Sequence, residues 1–283
     1  MKIYEIKDIE QKKALNNWAI NGFRGSIIAG TGFGKSRCGV MAVNYALTKL
    51  NKKSALVLVP TTQLKAQFVD EFHKWGYENC LDRVEVMCYQ SAYKLKGNHY
   101  DIVICDEVHL GLSDKYRLFF KNNTYNQILC MTATLPEEPQ YKVRLYALAP
   151  TIYEISLDEC VEKGLVAPYK VFCMPLSLTD EEQTAYTVAN RKFVHHKMAL
   201  GEDAFTAAKY YIGNGSPTMR GHAAGFYAGM RERKAIVDKA FNKIGAFKEL
   251  VHNNLDKRII SFGGVNSFTD VLAESVSPLA EVY

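Results

Sequence analysis

The chain has 283 residues, enough for two domains of ordinary size, and its 48% hydrophobic and 23% charged residues exclude a disordered or fibrous protein. No apolar run approaches the roughly 20 residues that span a bilayer, and the charged N-terminus lacks the core of a signal peptide, so a cytoplasmic protein without a membrane partner is predicted. The net charge of +5 permits contact with nucleic acid but does not indicate it, because the basic residues are scattered.

From residue 8 to about residue 135, helical and strand patterns alternate along the chain. Apolar spacing predicts helices in "IEQKKALNNWAI", "SRCGVMAVNYALTKL" and "TTQLKAQFVDEFHKW". The predicted strands are "RGSIIA", "SALVLVP", "RVEVMCY", "YDIVIC" and "NQILCMT". These strands are apolar throughout rather than alternating, which is typical of a parallel sheet buried on both faces. Strands that alternate with helices predict right-handed βαβ units and therefore a doubly wound α/β domain.

The pattern changes beyond Pro136, where "LPEEP" indicates a loop and "CVEKGLVAPYK" a connector. We expect the domain boundary near residues 155–168. "KVFCMPLSLTDEEQ" predicts a strand and then a helix that begins with a capping box of Thr179 and Glu182. The remaining predicted elements are helices at about residues 181–200 and 223–252 and one buried strand, "KRIISFGG", at residues 257–264.

The seven cysteines indicate free thiols rather than a disulfide framework or a zinc site. Their number is odd, and no CxxC pair occurs. Cys105 and Cys130 each end an aliphatic run, and free cysteines are among the most buried residue types. We therefore expect both thiols in the core.

A glycine-rich turn at residues 29–36, "AGTGFGKS", has the Walker A spacing with alanine in the first position. It follows a predicted strand and opens a predicted helix, so backbone N–H groups and a helix N-terminus face an anion. The glycines that let the backbone approach that anion are Gly30, Gly32 and Gly34. The pattern predicts that Lys35 reaches the phosphates and Ser36 binds Mg²⁺, and the flanking elements disfavour the alternative of a plain turn.

Two adjacent carboxylates, Asp106 and Glu107, follow the strand in "YDIVICDEVHL", and His109 comes two residues later. In parallel sheets, ligands bind beyond the carboxyl ends of the strands, where the glycine-rich turn also lies. One carboxylate is then suited to hold Mg²⁺ while the next polarises the attacking water. A solvated loop is the alternative for such a pair, and the Walker A turn about 70 residues upstream makes it the weaker one.

The segments "AGTGFGKS", "LVLVPTTQLKAQF", "CDEVH" and "MTATLP" resemble, in order and spacing, motifs I, Ia, II and III of superfamily-two helicases of the DExH type. "DECVEKGLVAPYK", "LSLTDEEQ" and "RERKAIVDKAFNK" resemble parts of phage-type and DNA-repair helicases, and "KRIISFGGVNSFTDVLAE" resembles motif IV. The resemblance implies a RecA-like P-loop NTPase domain at residues 1–155, an interdomain connector at 156–168, and a partial, helix-rich second RecA-like domain at 169–283.

The resemblance also implies that ATP and Mg²⁺ are the cofactors. The implied ATP-binding residues are Gln11, which lies where the family often places an adenine-reading glutamine, and Gly30, Thr31, Gly32, Gly34, Lys35 and Ser36. The implied catalytic residues are Lys35, Asp106, Glu107 and His109, with Ser36 and Asp106 as the Mg²⁺ ligands.

Nucleic acid is the implied partner, and DNA is favoured over RNA. In the family, residues matching Pro60, Thr61 and Thr62 lie along the nucleic-acid backbone, and those matching His109, Thr132 and Thr134 couple the nucleotide state to that contact. Cys88 replaces a threonine that the family usually has in "MCYQSAY", so one hydroxyl that can touch a phosphate is missing here.

No segment resembling motifs V and VI occurs, so we expect a chain truncated after motif IV. The arginine finger of motif VI would be missing, and such a group raises the rate by roughly 10³–10⁵ in related GTPases, so turnover is expected to be slow. Three hypotheses follow: part of an ATP-dependent DNA helicase or translocase, which is preferred; a split helicase completed by a second polypeptide; and a non-catalytic module that binds nucleotide or nucleic acid.

Other side chains are expected to be structural. Adjacent residues on a helix point in different directions, so His195 and His196 are expected on a solvated face rather than in a metal site. The aromatic pairs Tyr210-Tyr211 and Phe226-Tyr227 are expected to pack rather than to stack on bases.

Overall fold

A six-stranded sheet organises the first of two units, residues 1–170, in the computed structural model, which describes residues 3–281. The strands are β1 (Arg24–Ala29), β2 (Ala55–Val59), β3 (Val84–Cys88), β4 (His99–Cys105), β5 (Thr124–Thr132) and β6 (Thr151–Ile155). The helices are α1 (Ile3–Ile20), α2 (Lys35–Thr48), α3 (Thr62–Lys74), α4 (Tyr89–Ala92), α5 (Val108–Gly111), α6 (Leu118–Asn122), α7 (Pro139–Leu148) and α8 (Leu157–Glu162), with a 3₁₀ turn at Glu78–Arg83.

Every strand pair in the sheet is parallel, and the strand order is β3-β2-β4-β5-β1-β6. Strand β5 lies between β4 and β1, with Cys105 opposite Cys130 and Ile28 opposite Thr132. Because all strands run the same way, their carboxyl ends meet at one rim of the sheet. The unit is an α/β, RecA-like domain, as the sequence predicted.

Alternate residues of the strands belong to two cores, one on each face of the sheet. On β4, Ile104 packs into the core shared with α1, α2 and α3, whereas Val103 packs into the core shared with α6 and α7. The Trp18 indole lies in the first core and donates a hydrogen bond to the Ile128 carbonyl oxygen at 2.9 Å. Burial on both faces explains the unbroken apolar runs of these strands.

The five strands predicted up to residue 132 are confirmed, with bounds that differ by at most two residues. Strand β6 and helix α7 were not predicted. Their sequences, "TIYEI" and "PQYKVRLYAL", contain charged residues, and in β6 the side chains of Thr151 and Glu154 are exposed. An edge strand with a mixed pattern gives a weak signal in a search for unbroken apolar runs.

The cysteine prediction is also confirmed, since all seven cysteines are free and Cys105 and Cys130 are fully buried. None of the helices that the structure describes has the length and apolar character needed to cross a membrane.

The second unit, residues 171–283, is helical over its described residues, and no strand occurs in residues 171–281. Its helices are α9 (Asp180–Leu200), α10 (Ala204–Asn214), α11 (Pro217–Asp238), α12 (Asn242–His252) and α13 (Asn266–Val276). The capping box of Thr179 and Glu182 at the start of α9 is confirmed. The helix predicted at residues 223–252 is two helices, because the chain turns at residues 239–241.

Two predicted strands of this unit are wrong. Residues 170–178 and residues 257–264 have no regular structure, and Phe172 and Phe262 are 86% and 93% exposed. An isolated strand is not stable, because its backbone N–H and C=O groups need a neighbouring strand. The described residues of this unit offer none, so a RecA-like fold for residues 169–283 stays a prediction.

Helices α9 and α11 form an antiparallel pair with a small core of its own. The rings of Phe193 and Phe226 stack with centroids 5.1 Å apart, and Phe226 is fully buried. One turn along, Gly229 lets the two backbones approach, since a Cβ there would lie 3.0 Å from the Phe193 Cα atom. The packing expected for Phe226 is confirmed, whereas Tyr210 is 59% exposed.

Candidate active site at the carboxyl rim of the sheet

Four loops carry the residues that the sequence singled out, and each follows a parallel strand. The glycine-rich loop follows β1, Pro60 follows β2 and Asp106 follows β4, while Thr132 ends β5 and Thr134 follows it. Because β5 pairs with both β1 and β4, the glycine-rich loop and Asp106 lie at the same rim, one strand apart.

The glycine-rich loop has the backbone of an anion cradle. Gly32 and Gly34 have φ angles of 89° and 92°, a left-handed conformation that side chains other than that of glycine rarely adopt. Gly34 is the N-cap of α2, so the first N–H groups of this helix have no acceptor within the helix and face the loop. Phe33 is fully buried and anchors the loop, while Thr31 is exposed.

Lys35 and Ser36 begin α2, and both are half-buried. The Lys35 ammonium donates to the Ala29 carbonyl oxygen at 3.0 Å, which holds the side chain over the loop. It lies near enough to Asp106 to lower the pKa of that carboxyl, against the larger effect of burial. The two residues on which the sequence hypothesis depends therefore lie at the same rim of the sheet, and their charges interact.

Gln11 on α1 is buried and binds the loop itself. Its Nε2 donates to the Phe33 carbonyl oxygen at 2.7 Å, and its Oε1 accepts from Arg37 Nη1 at 2.5 Å. The Arg37 guanidinium also pairs with Asp8 at 2.7 Å and lies 4.2 Å from the centroid of the Trp75 ring. Gln11 thus ties α1 to the glycine-rich loop in this structure, and the adenine contact stays a prediction.

Asp106 lies directly after β4 with only 8% of its surface exposed. Its backbone N–H donates to the Leu58 carbonyl oxygen at 2.9 Å, and its own carbonyl oxygen accepts from the Tyr89 hydroxyl at 2.9 Å. Burial raises the pKa of the Asp106 carboxyl to about 6, the Glu107 carboxylate adds to the rise, and the Lys35 ammonium opposes it. A bound cation at this carboxylate would offset the cost of its burial.

Glu107 has a φ angle of 46°, which is strained for a residue with a side chain. This conformation directs its carboxylate to a polar cluster with Thr132 and His109. Glu107 Oε2 lies 3.1 Å from Thr132 Oγ1, and His109 Nδ1 lies 3.0 Å from the same hydroxyl and 3.4 Å from Glu107 Oε2. Thr132 Oγ1 also lies 2.7 Å from the Thr134 carbonyl oxygen. The structure therefore brings motifs II and III together.

The residues after β2, Pro60 to Thr62, lie at the start of α3. The Pro60 carbonyl oxygen accepts from Gln90 Nε2 at 2.9 Å, and the Thr61 hydroxyl caps α3 by accepting from the Leu64 N–H at 3.3 Å. Thr62 is exposed at the first position of that helix, and Cys88 is half-buried at the end of β3. The hydroxyl of Thr62 is free of such a capping role.

Sequence reasoning missed part of the surroundings of this site. The Arg37 guanidinium that contacts Gln11 is itself held by Asp8 and Trp75. The sequence indicated only that Asp8 and Gln11, three residues apart, lie on the same face of α1. A cleft of about 980 Å³ also opens beside the glycine-rich loop, between it, α7 and the start of α8. Nothing in the sequence pattern signalled this cleft, because α7 and β6 were not predicted.

The loop and its acidic partner fit a Mg²⁺-bound triphosphate. A Cβ at Gly34 would collide with the Gln11 amide, and one at Gly32 would lie 3.1 Å from Val166, so the space around the loop excludes side chains. The Ser36 hydroxyl and the Asp106 carboxylate are oxygen donors of the kind that Mg²⁺ prefers. Lys35 and the N–H groups of the first turn of α2 supply positive charge for an anion.

The family comparison agrees with this arrangement. Residues 7–137, which contain the glycine-rich loop, Asp106 and the "MTAT" threonines, match the family model described as type III restriction enzyme, res subunit. This part of the chain is superfamily-two helicase-like. Helicase-like domains of this kind use ATP, typically with Mg²⁺. Among curated protein sequences, none matches the chain.

The chain is also similar to solved structures. The Pyrococcus furiosus Hef helicase domain is 14% identical with a TM-score of 0.45, over 100% of this chain and 70% of that one. The UvsW helicase from bacteriophage T4 is 17% identical with a TM-score of 0.40, over 52% of this chain and 59% of that one. The Sulfolobus solfataricus SWI2/SNF2 ATPase core in complex with dsDNA is 13% identical with a TM-score of 0.42, over 94% and 68%.

Proposed function

We propose that the chain is the ATP-dependent motor part of a DExH-type DNA helicase or translocase. The observation that carries this proposal is the shared rim of the sheet, where the Lys35 ammonium acts on the Asp106 carboxylate while Glu107 contacts Thr132. A phosphate cradle, a buried metal-binding carboxylate and a second carboxylate beside a polar switch are the parts that ATP hydrolysis requires.

Each residue has a separate role in this proposal. Lys35 and the N–H groups at the start of α2 bind the β- and γ-phosphates, and the Ser36 hydroxyl and Asp106 hold Mg²⁺. When bound, Mg²⁺ neutralises the charge that develops on the phosphates. Glu107 orients a water molecule and accepts its proton, because its carboxylate lies next to Asp106 but is less buried.

Thr132 offers a physical basis for coupling hydrolysis to movement. Its hydroxyl has one proton but two oxygen acceptors within reach, Glu107 Oε2 at 3.1 Å and the Thr134 carbonyl oxygen at 2.7 Å. A change of charge at Glu107 during hydrolysis favours one acceptor over the other. Thr134 is exposed and follows β5, so the shift reaches the surface of the domain.

DNA is the favoured partner. The hydroxyl of Thr62 and the N-terminus of α3, at the same rim as the ATP site, are the groups proposed to contact the nucleic-acid backbone. Such contacts require no base sequence, and they suit a protein that moves along a strand. A split helicase completed by a second polypeptide, and a non-catalytic nucleotide-binding or nucleic-acid-binding module, are the alternatives.

Exchange of Glu107 for glutamine tests the proposed chemistry. We expect Glu107→Gln to bind a fluorescent ATP analogue as wild type does and to lose hydrolysis by at least about 100-fold, because a neutral amide accepts no proton. Single-turnover hydrolysis of radiolabelled ATP, with and without duplex DNA, measures even slow rates.

Glu78→Gln is the matched control, because Glu78 is exposed on the 3₁₀ turn and its substitution by glutamine removes the same negative charge. Wild-type rates in this control are expected. Hydrolysis by Glu107→Gln at the wild-type rate would refute the catalytic role of Glu107. If the wild-type protein binds ATP but does not hydrolyse it, the non-catalytic alternative is favoured.

A further inference from the structure

Three of the seven histidines meet between two helices of the second unit. His195 and His196 lie on α9 and His222 lies on α11, and one ring nitrogen from each is within 4.8 Å of the other two. The Nδ1 atoms of His196 and His222 are 3.2 Å apart. The ring centroids are 5.1 to 5.7 Å apart. The expectation that the rings of His195 and His196 point apart is therefore wrong, whereas the expected exposure is found for His195 and in part for His196.

The packing of the helix pair explains this convergence. His196 lies across α11 at Gly225, where a Cβ would collide with the imidazole ring, so glycine at this position makes room for it. One turn further along α11, Gly229 permits the close approach to Phe193. His222 is three residues before Gly225 and thus on the same face of α11. Sequence spacing alone could not show this, because His222 lies on a different helix.

The distance between the ring nitrogens of His196 and His222 is close to the distance expected for two ligands of one metal ion. Zinc binds histidine nitrogen at about 2.0–2.1 Å in tetrahedral geometry, which places two ligand nitrogens about 3.3 Å apart. The 3.2 Å between the nitrogens of His196 and His222 is close to that value. His195 is exposed, so its ring is free to turn the remaining distance toward the same point.

We propose that His195, His196 and His222 bind one divalent transition-metal ion, with Zn²⁺ preferred, and that the ion ties α9 to α11. Imidazole nitrogen is a favoured ligand of zinc, copper and nickel, and three histidines with water in the fourth position form a known type of zinc coordination. The ion stabilises the helix pair because its ligands come from both helices.

The chemistry of the cluster agrees with this geometry. Burial, together with the neighbouring His195 and His222 rings, lowers the pKa of His196. This shift favours the neutral imidazole ring, which has a lone pair to offer to a metal. A direct hydrogen bond between His196 and His222 is the competing explanation for the short distance, and it requires no contribution from His195.

Metal titration of the full chain tests the proposal. All proteins carry Cys173→Ser, because Cys173 is exposed and is itself able to bind metal. Zn²⁺ is titrated by calorimetry, and Co²⁺ is added separately to record its visible absorption. We expect one ion per chain and the intense visible bands of tetrahedral Co²⁺, without the near-ultraviolet charge-transfer band of a cobalt–thiolate bond.

Three alanine variants separate the metal site from a hydrogen-bonded pair. His195→Ala removes an exposed ring and leaves the close pair of His196 and His222 intact, so folding is expected to be preserved. We expect it and His222→Ala to weaken Zn²⁺ binding by at least about 100-fold, since each removes one of three ligands. His252→Ala, which removes an exposed histidine on α12, is the matched control and should change the affinity less than twofold.

Thermal unfolding gives a second readout. Excess Zn²⁺ should raise the unfolding temperature of wild type and His252→Ala but not of His195→Ala, because only an ion that binds the folded state stabilises it. Zn²⁺ binding that is undetectable, or equal in wild type and His195→Ala, would overturn the proposal and leave the hydrogen-bonded pair as the explanation.

Discussion

Similar aliphatic runs have different structures in the two units of the chain. In the first unit, the aliphatic run of β4 is fully buried from Ile102 to Cys105, between two layers of helices. In the second unit, the aliphatic run around Ile260 has no regular structure, and Ile260 is 80% exposed. An apolar run becomes a strand only where neighbouring strands satisfy its backbone and helices cover its side chains.

The cores of the two units differ in the same way. The first unit has two continuous cores, one on each face of the parallel sheet. The described core of the second unit is a small cluster around Phe226, which is contributed mostly by α9, α10 and α11. Stability is therefore expected to be concentrated in the sheet.

Substitution of one isoleucine in each unit tests this comparison with the largest expected effect. Ile104→Ala should destabilise the protein by about 2–5 kcal/mol, because it leaves a cavity in a filled core. Ile260→Ala is the matched control and should change the free energy of unfolding by less than about 0.5 kcal/mol. Urea unfolding followed by tryptophan fluorescence reports the first unit, where both tryptophans lie, and circular dichroism reports both units.

Equal losses for the two isoleucine variants would contradict the comparison. A large loss for Ile260→Ala would show that residues 257–264 pack in solution and that the predicted strand forms there. A small loss for Ile104→Ala would show that the sheet core tolerates a cavity.

The buried Asp106 carboxyl is expected to lower the stability of the protein at neutral pH, and this effect is smaller than that of the cavity at Ile104. The pKa of Asp106 is about 6 in the folded state, above its ordinary value of 3.8. The carboxyl therefore contributes stability that is fully present below about pH 3.8 and is lost as the pH rises through 6. Asp106→Asn removes this ionisation and should stabilise the protein by about 3 kcal/mol at pH 8, since the rise in pKa from 3.8 to about 6 costs about 1.4 kcal/mol per unit.

Urea unfolding of wild type and Asp106→Asn at several pH values between 4 and 8 measures this effect. The difference between the two proteins should grow as the pH rises from 4 to 7. Asp82→Asn, an exposed change of the same chemistry in the 3₁₀ turn, should show no such growth. If Asp106→Asn is destabilising at pH 8, the carboxylate is stabilised by its surroundings rather than strained by burial.

Much of the first unit was predictable because its signals are local. The glycine-rich turn, the unbroken apolar runs and the carboxylates after "YDIVIC" each lie within a few residues of one another. Parallel strands then bring Lys35 and Asp106 to one rim without further information. The clustering of Thr132 with Glu107 follows from the same rule, since β5 lies beside β4.

The features that could not be predicted depend on contacts between distant residues. The bond of Gln11 to the Phe33 carbonyl oxygen requires α1 to lie over the loop, which no local pattern specifies. The histidine cluster requires the pairing of α9 with α11. Residues 170–178 and 257–264 were wrongly predicted as strands, because the sequence of an apolar run does not show whether a partner strand lies beside it.

Nucleotide binding by Lys35→Ala tests the central claim most directly, and Lys49→Ala at the other end of the same helix is its control. Equilibrium titration of a fluorescent ATP analogue with Mg²⁺ should show binding by wild type and by Lys49→Ala, and a loss of at least about 100-fold for Lys35→Ala, because the phosphates lose their main counter-charge. Equal affinity of all three proteins would contradict the assignment of the glycine-rich loop as an ATP site.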